Sequence, residues 1–116
     1  MKETPNDKPY DLGERTFNFA RDVRELCRTQ VKTSLNIDDL KQIVRSSGSV
    51  GANYIEANEA LTRKDFIHRI GICRKEAKES GYWIRLLFVS SEKGSELFQE
   101  SKELVKIFNA IINPKK

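Results

Sequence analysis

The sequence predicts an all-α protein, an up-down-up-down antiparallel four-helix bundle. Three observations lead there. Four segments space their apolar residues three and four apart, and no segment alternates apolar and polar as a half-buried strand does. Gly and Pro number 6 and 3 in 116 residues, too few for the turns of an all-β domain of this length. The links between the periodic segments are short, which makes neighbouring helices run antiparallel.

The first segment spans about residues 11–29. Asp11 followed by Glu14 fits a capping box, and Leu12, Phe19, Val23 and Leu26 share one face. The second spans about 37–60, capped by Asn36, with Asp38 and Asp39 at the positive end of the helix dipole. Leu40, Ile43, Ser47, Val50, Tyr54 and Ala57 carry its stripe. The third spans about 63–89 behind the N-cap Thr62, and its stripe runs Phe66, Ile70, Cys73, Ala77, Gly81, Ile84, Phe88. The fourth starts between Glu92 and Glu96 and ends at Ile112, before Asn113-Pro114. Residues 1–10 are expected to fray, 11–112 to form the bundle and 113–116 to be a tail.

A mass of 13.4 kDa gives room for one domain. With 33% charged and 38% hydrophobic residues, the composition is that of a soluble globular chain. No apolar run is long enough to cross a membrane, and Met1 to Pro9 hold no apolar signal core, so a cytoplasmic location is expected. Spacing alone does not decide whether Cys27 and Cys73 pair. The missing export signal favours two reduced, buried thiols. With one histidine, His68, and no CxxC, neither a metal site nor a cofactor is expected.

The net charge is +4, unevenly placed. The third segment holds seven basic residues against three acids, whereas the first balances four against four. On a helical wheel Lys64, Arg74, Lys75, Lys78 and Arg85 fall roughly 80° to 180° from Phe66. Asp65, Glu76 and Glu79 fall on the other flank, with Ile72 and Trp83. On the first segment Arg21, Arg24 and Arg28 gather around Phe17. These eight cations are the candidate nucleic-acid-binding residues, competing with an ordinary solvated surface. In one bundle the first and third helices lie diagonally, so their basic flanks need association of copies to join. Phe17, Ile72 and Trp83 are read either as bundle-edge packing or as a subunit interface.

The second segment contains Ser46-Ser47-Gly48-Ser49-Val50-Gly51-Ala52-Asn53. Two glycines inside a helix cost roughly 2 kcal/mol against alanine. Close helix approach is the expected compensation, with Phe19 or Ile70 over the flat surface. A phosphate loop is excluded, because no Gly-Lys-Ser/Thr follows and no strand precedes. Arg45 is expected to bridge to Glu76 or Glu79 at the seam of the second and third helices, in preference to a paired-carboxylate acid/base site there. No nucleophile–histidine–acid set can be assembled, so the chain reads as a non-enzyme with no catalytic residues.

Phe19-Ala20-Arg21-Asp22-Val23, the run from Ile43 to Ala57 and the run from Cys73 to Leu87 resemble the four-helix bundle proteins encoded in intervening sequences of bacterial 23S rRNA genes. The likeness spans about residues 10–112. Its two marks are Arg45-Ser46-Ser47 leading to Ala52-Asn53, and Arg74-Lys75-Glu76-Ala77 leading to Tyr82-Trp83. Where the family often reads N-I-A-E-G, this chain has Asn53-Tyr54-Ile55-Glu56-Ala57, which suits a longer helix. The resemblance implies a homopentameric ring, nucleic-acid binding, and kinship with retroelement accessory proteins that bind a reverse transcriptase. The expected function is non-catalytic, electrostatic binding of RNA or DNA; the alternative is a scaffold for a protein partner.

Overall fold

The computed structural model describes residues 11–114. Within them the chain forms α1 (Leu12–Arg28), α2 (Ile37–Asn58), α3 (Arg63–Phe88) and α4 (Glu92–Ile112), within two residues of the expected bounds. The expected fraying of residues 1–10 lies outside the described residues, as does the end of the expected tail.

Three helix starts are fixed by the side chains that the sequence offers. Asp11 accepts from the Glu14 amide at 3.0 Å, Thr62 from Asp65 at 3.1 Å and Ser91 from Gly94 at 3.0 Å, each satisfying an orphan donor. The α2 start differs from expectation. Asn36 makes no cap bond into the helix, because its own backbone is already helical. Its side chain turns back instead, accepting from the Thr33 amide at 2.9 Å and donating to the Val31 carbonyl at 3.1 Å. It thus ties down the 29–36 connection.

Each helix packs antiparallel against its chain neighbours, and α4 closes the ring against α1, while α1 and α3 lie diagonally across the bundle. The core is built by Phe19 and Val23 of α1, Ile43 and Val50 of α2, Ile70, Cys73 and Ile84 of α3, and Leu104 and Phe108 of α4. The α1–α4 contact carries two ion pairs. Arg15 meets Glu100 at 2.7 Å and Lys93 meets Asp22 at 3.9 Å. On the same side of α1, the side-chain oxygen of Asn18 is buried without a hydrogen-bond partner among the described residues.

The glycines mark the closest approaches, with a correction to their partners. The groups over α2 are polar side chains of α1. A Cβ at Gly48 would lie 3.0 Å from the Arg24 guanidinium, and one at Gly51 would lie 3.1 Å from the Thr16 hydroxyl. Phe19 and Ile70 are spent in the core. Thr16 can face a helix because its hydroxyl is already donated to the Leu12 carbonyl at 2.7 Å. Between α3 and α4, a Cβ at Gly94 would strike the Phe88 carbonyl oxygen.

Polar pairs hold α2 to α3 along their whole length. Arg69 donates to Asn53 at 2.9 Å, the Cys73 thiol to the Val50 carbonyl at 3.4 Å, and Ser80 to Ser46 at 2.9 Å. Arg45 reaches Glu76 at 3.3 Å and Glu79 at 2.6 Å, so the expected bridge engages both carboxylates. Trp83 adds its indole N–H to Glu79 at 3.0 Å. Burial by itself would push the Glu79 carboxyl up, but the Trp83 and Arg45 donors outweigh it and hold it below the ordinary carboxylate value.

Two outcomes follow for denaturant unfolding. Gly94→Ala loses about 1–3 kcal/mol through the backbone clash, whereas Gly71→Ala, with open space around the added methyl, gains up to about 1 kcal/mol of helix propensity. A lowered carboxyl stabilises the fold above its unfolded value and ceases to as pH falls through its folded one. Wild-type stability therefore drops on acidification below the usual glutamate range, and Glu79→Gln is less stable at neutral pH with a flatter acid limb.

Candidate nucleic-acid interface

The eight candidate cations fall into two groups that differ in electrostatic state. On α3, Lys64, Lys75, Lys78 and Arg85 are all exposed, and none has a carboxylate within ion-pair distance among the described residues. They share the side of the helix turned away from the Phe66–Phe88 stripe. Arg74 sits at the edge of this group. It is half-buried and donates to Asn109 of α4 at 2.7 Å, a neutral partner that leaves its charge uncompensated.

The α1 group is more engaged. Arg21 pairs with Asp22 at 3.2 Å and Arg28 with Glu25 at 2.6 Å, both at the surface. Arg24 departs from the expected outward cation. Its guanidinium lies over Gly48 and donates to the Ala20 and Val44 carbonyls, each at 3.2 Å. The missing side chain at Gly48 draws it inward, since the guanidinium finds both room and two backbone acceptors there. The α1 and α3 groups do not merge within one protomer, because those helices are diagonal.

The three interface candidates separate likewise. Phe17 stands out at 60% exposed. Trp83 takes the bundle-edge packing of its two readings and lies half-buried against the core, with Tyr82 edge-on at a ring distance of 5.0 Å. Ile72 is half-buried. The sequence reading missed the exposed Tyr82, Leu86 and Val89, which recur at helical spacing among the α3 cations. The expectation assigned these three to no face, although their wheel positions lie on the basic side.

The remaining chemistry-bearing groups are occupied. Glu76 and Glu79 both serve Arg45, so they do not form a free acid/base pair. Cys27 and Cys73 are both buried and do not pair with each other. Burial pushes both thiols up, Cys73 to about 12, which leaves almost no thiolate at neutral pH. His68 is exposed on α3. Among the described residues, no helix is long and apolar enough to cross a membrane.

Comparison with known proteins agrees with this architecture. The family described as 23S rRNA-intervening sequence protein matches residues 9–113. A crystal structure of a protein of unknown function from the S23 ribosomal protein family of Bacteroides thetaiotaomicron superposes with a TM-score of 0.79. It shares 33% identity, over 87% of this chain and 97% of that one. No curated protein matches the chain. A match over nearly the whole bundle, joined to the four helices and the two motif runs that meet at the α2–α3 seam, places the chain as a member of the 23S rRNA-intervening sequence protein family.

Proposed function

We propose that this chain is a non-catalytic, oligomeric, cytoplasmic bundle that binds RNA or DNA through its positive surface. The observation that carries the reading is the state of Lys64, Lys75, Lys78 and Arg85, which share one exposed side of α3 without a neutralising carboxylate among the described residues. Such side chains, free of competing partners, meet phosphates and release their counterions, and they read little sequence. Arg74 extends the surface, and Arg21, Arg24 and Arg28 form a second patch that assembly of copies, a pentamer on the family likeness, would bring beside the first. Ile72 is the contact candidate for that assembly, while Phe17 stands among the α1 cations. Glu79 and the core already engage Trp83.

A second reading has its own support. Tyr82, Leu86 and Val89 are 60%, 55% and 66% exposed on that same side of α3. Apolar groups interleaved with cations suit contact with another protein, a further copy or a polymerase-type partner, as well as with a polyanion.

Filter binding across a salt series tests the first reading. Affinity falls steeply with salt. Joint replacement of Lys64, Lys75, Lys78 and Arg85 by glutamine weakens binding and lowers the salt slope by about one for each phosphate that is no longer neutralised. Absence of binding at low ionic strength overturns the reading, and a protein partner retained after nuclease treatment favours the second.

A further inference from the structure

We propose that the cleft between α1 and α2 receives a short stretch of single-stranded RNA, an unpaired base against Phe17 and successive phosphates on Arg21 and Arg28. This rests on the nucleic-acid reading above and adds strand type and sugar type to it, which the α3 cations do not select.

The cleft has a volume of about 340 Å³ and is lined by Phe17, Arg21, Arg24, Glu25, Arg28 and Gly48. That is the small end of the range for ligand sites, roughly 300–1,000 Å³. Residues 17, 21, 24 and 28 recur at helical spacing, so one stripe of α1 sets an aromatic face beside three guanidinium groups. An exposed aromatic flanked by cations is the combination that binds single strands, because every unpaired base offers a face to stack and every step a phosphate. A duplex hides those faces.

The three arginines have different parts. Arg24 is held by two neutral carbonyls, so its charge stays uncompensated and its position is set before any ligand arrives. It has donors to spare beyond those two bonds. Arg21 and Arg28 are held only by surface pairs with Asp22 and Glu25, which contribute little and exchange readily for phosphate. Glu25 supplies the sugar preference. A carboxylate beside a phosphate site repels a bare polyanion, yet it accepts a hydrogen bond from a ribose 2′-hydroxyl, the group that DNA lacks.

The test compares one short sequence as single-stranded RNA, single-stranded DNA and RNA duplex, by fluorescence anisotropy, with 2-aminopurine in the strands to report stacking. Wild type is expected to prefer single-stranded RNA. Phe17→Ala, at an exposed position, loses about tenfold on single strands and nothing on duplex, while Phe17→Tyr keeps both affinity and the aminopurine quench. Glu25→Ala raises DNA affinity and narrows the RNA preference. The glutamine replacements on α3 weaken all three ligands alike. Equal binding of single strands and duplex, or an unchanged Phe17→Ala, overturns the cleft and leaves the electrostatic reading standing. Equal RNA and DNA affinity in the wild type overturns the Glu25 part. If Phe17→Ala dissociates the oligomer without touching RNA binding, the cleft belongs to contact between copies and the inference falls. If no nucleic acid binds at any salt, both readings fall together.

Discussion

Where α1 crosses α2, the two helices come as near as they do because nothing projects from Gly48 and Gly51. The space is filled by the Arg24 guanidinium and the Thr16 hydroxyl, groups that bring their own hydrogen-bonding needs and meet them on nearby carbonyls. Such a contact differs from apolar knobs packing into holes. It admits a charged side chain beneath the surface without stranding it, provided that backbone acceptors are within reach. The same helix then faces α3 with Ser46 against Ser80 and with Arg45 spanning two carboxylates. The residues from 45 to 53 thus serve two neighbours at once, and the placement of both basic groups depends on that.

The fold was legible because its signals are local and repeated. Helix period, short links and the caps Asp11 and Thr62 are all readable from composition and spacing, whereas the Ser91 cap was not singled out and the α4 start stayed open from Glu92 to Glu96. Asn36 misled because a cap residue and a loop-stapling residue look the same in one dimension, and only the backbone angle at that position decides between them. The site was half legible. Wheel positions put the cations on the proper flanks, and the Arg45 bridge came from the register of two antiparallel helices. What the wheel cannot give is which partner lies across the gap. Trp83 and Arg24 both sit on helix flanks, and each turned inward toward a fitting group: Glu79 one turn away on the same helix with the core beyond, or the Val44 carbonyl of α2 beside Gly48.

Charge in this molecule is sorted by use. Arg15, Arg45 and Arg69 lock helices together, Arg24 and Arg74 lie against neutral oxygens at helix contacts, and the cations left without partners among the described residues include Lys64, Lys75, Lys78 and Arg85. A net charge of +4 therefore understates how positive the outer side of α3 is and says little about the seams.

The lone tryptophan sits on α3, its indole hydrogen on Glu79 and its ring edge-on to Tyr82. Its ultraviolet emission is therefore set by the Glu79 carboxylate that Arg45 of α2 also holds and by the core at its back, so that parting of α2 from α3 would change the indole's surroundings directly.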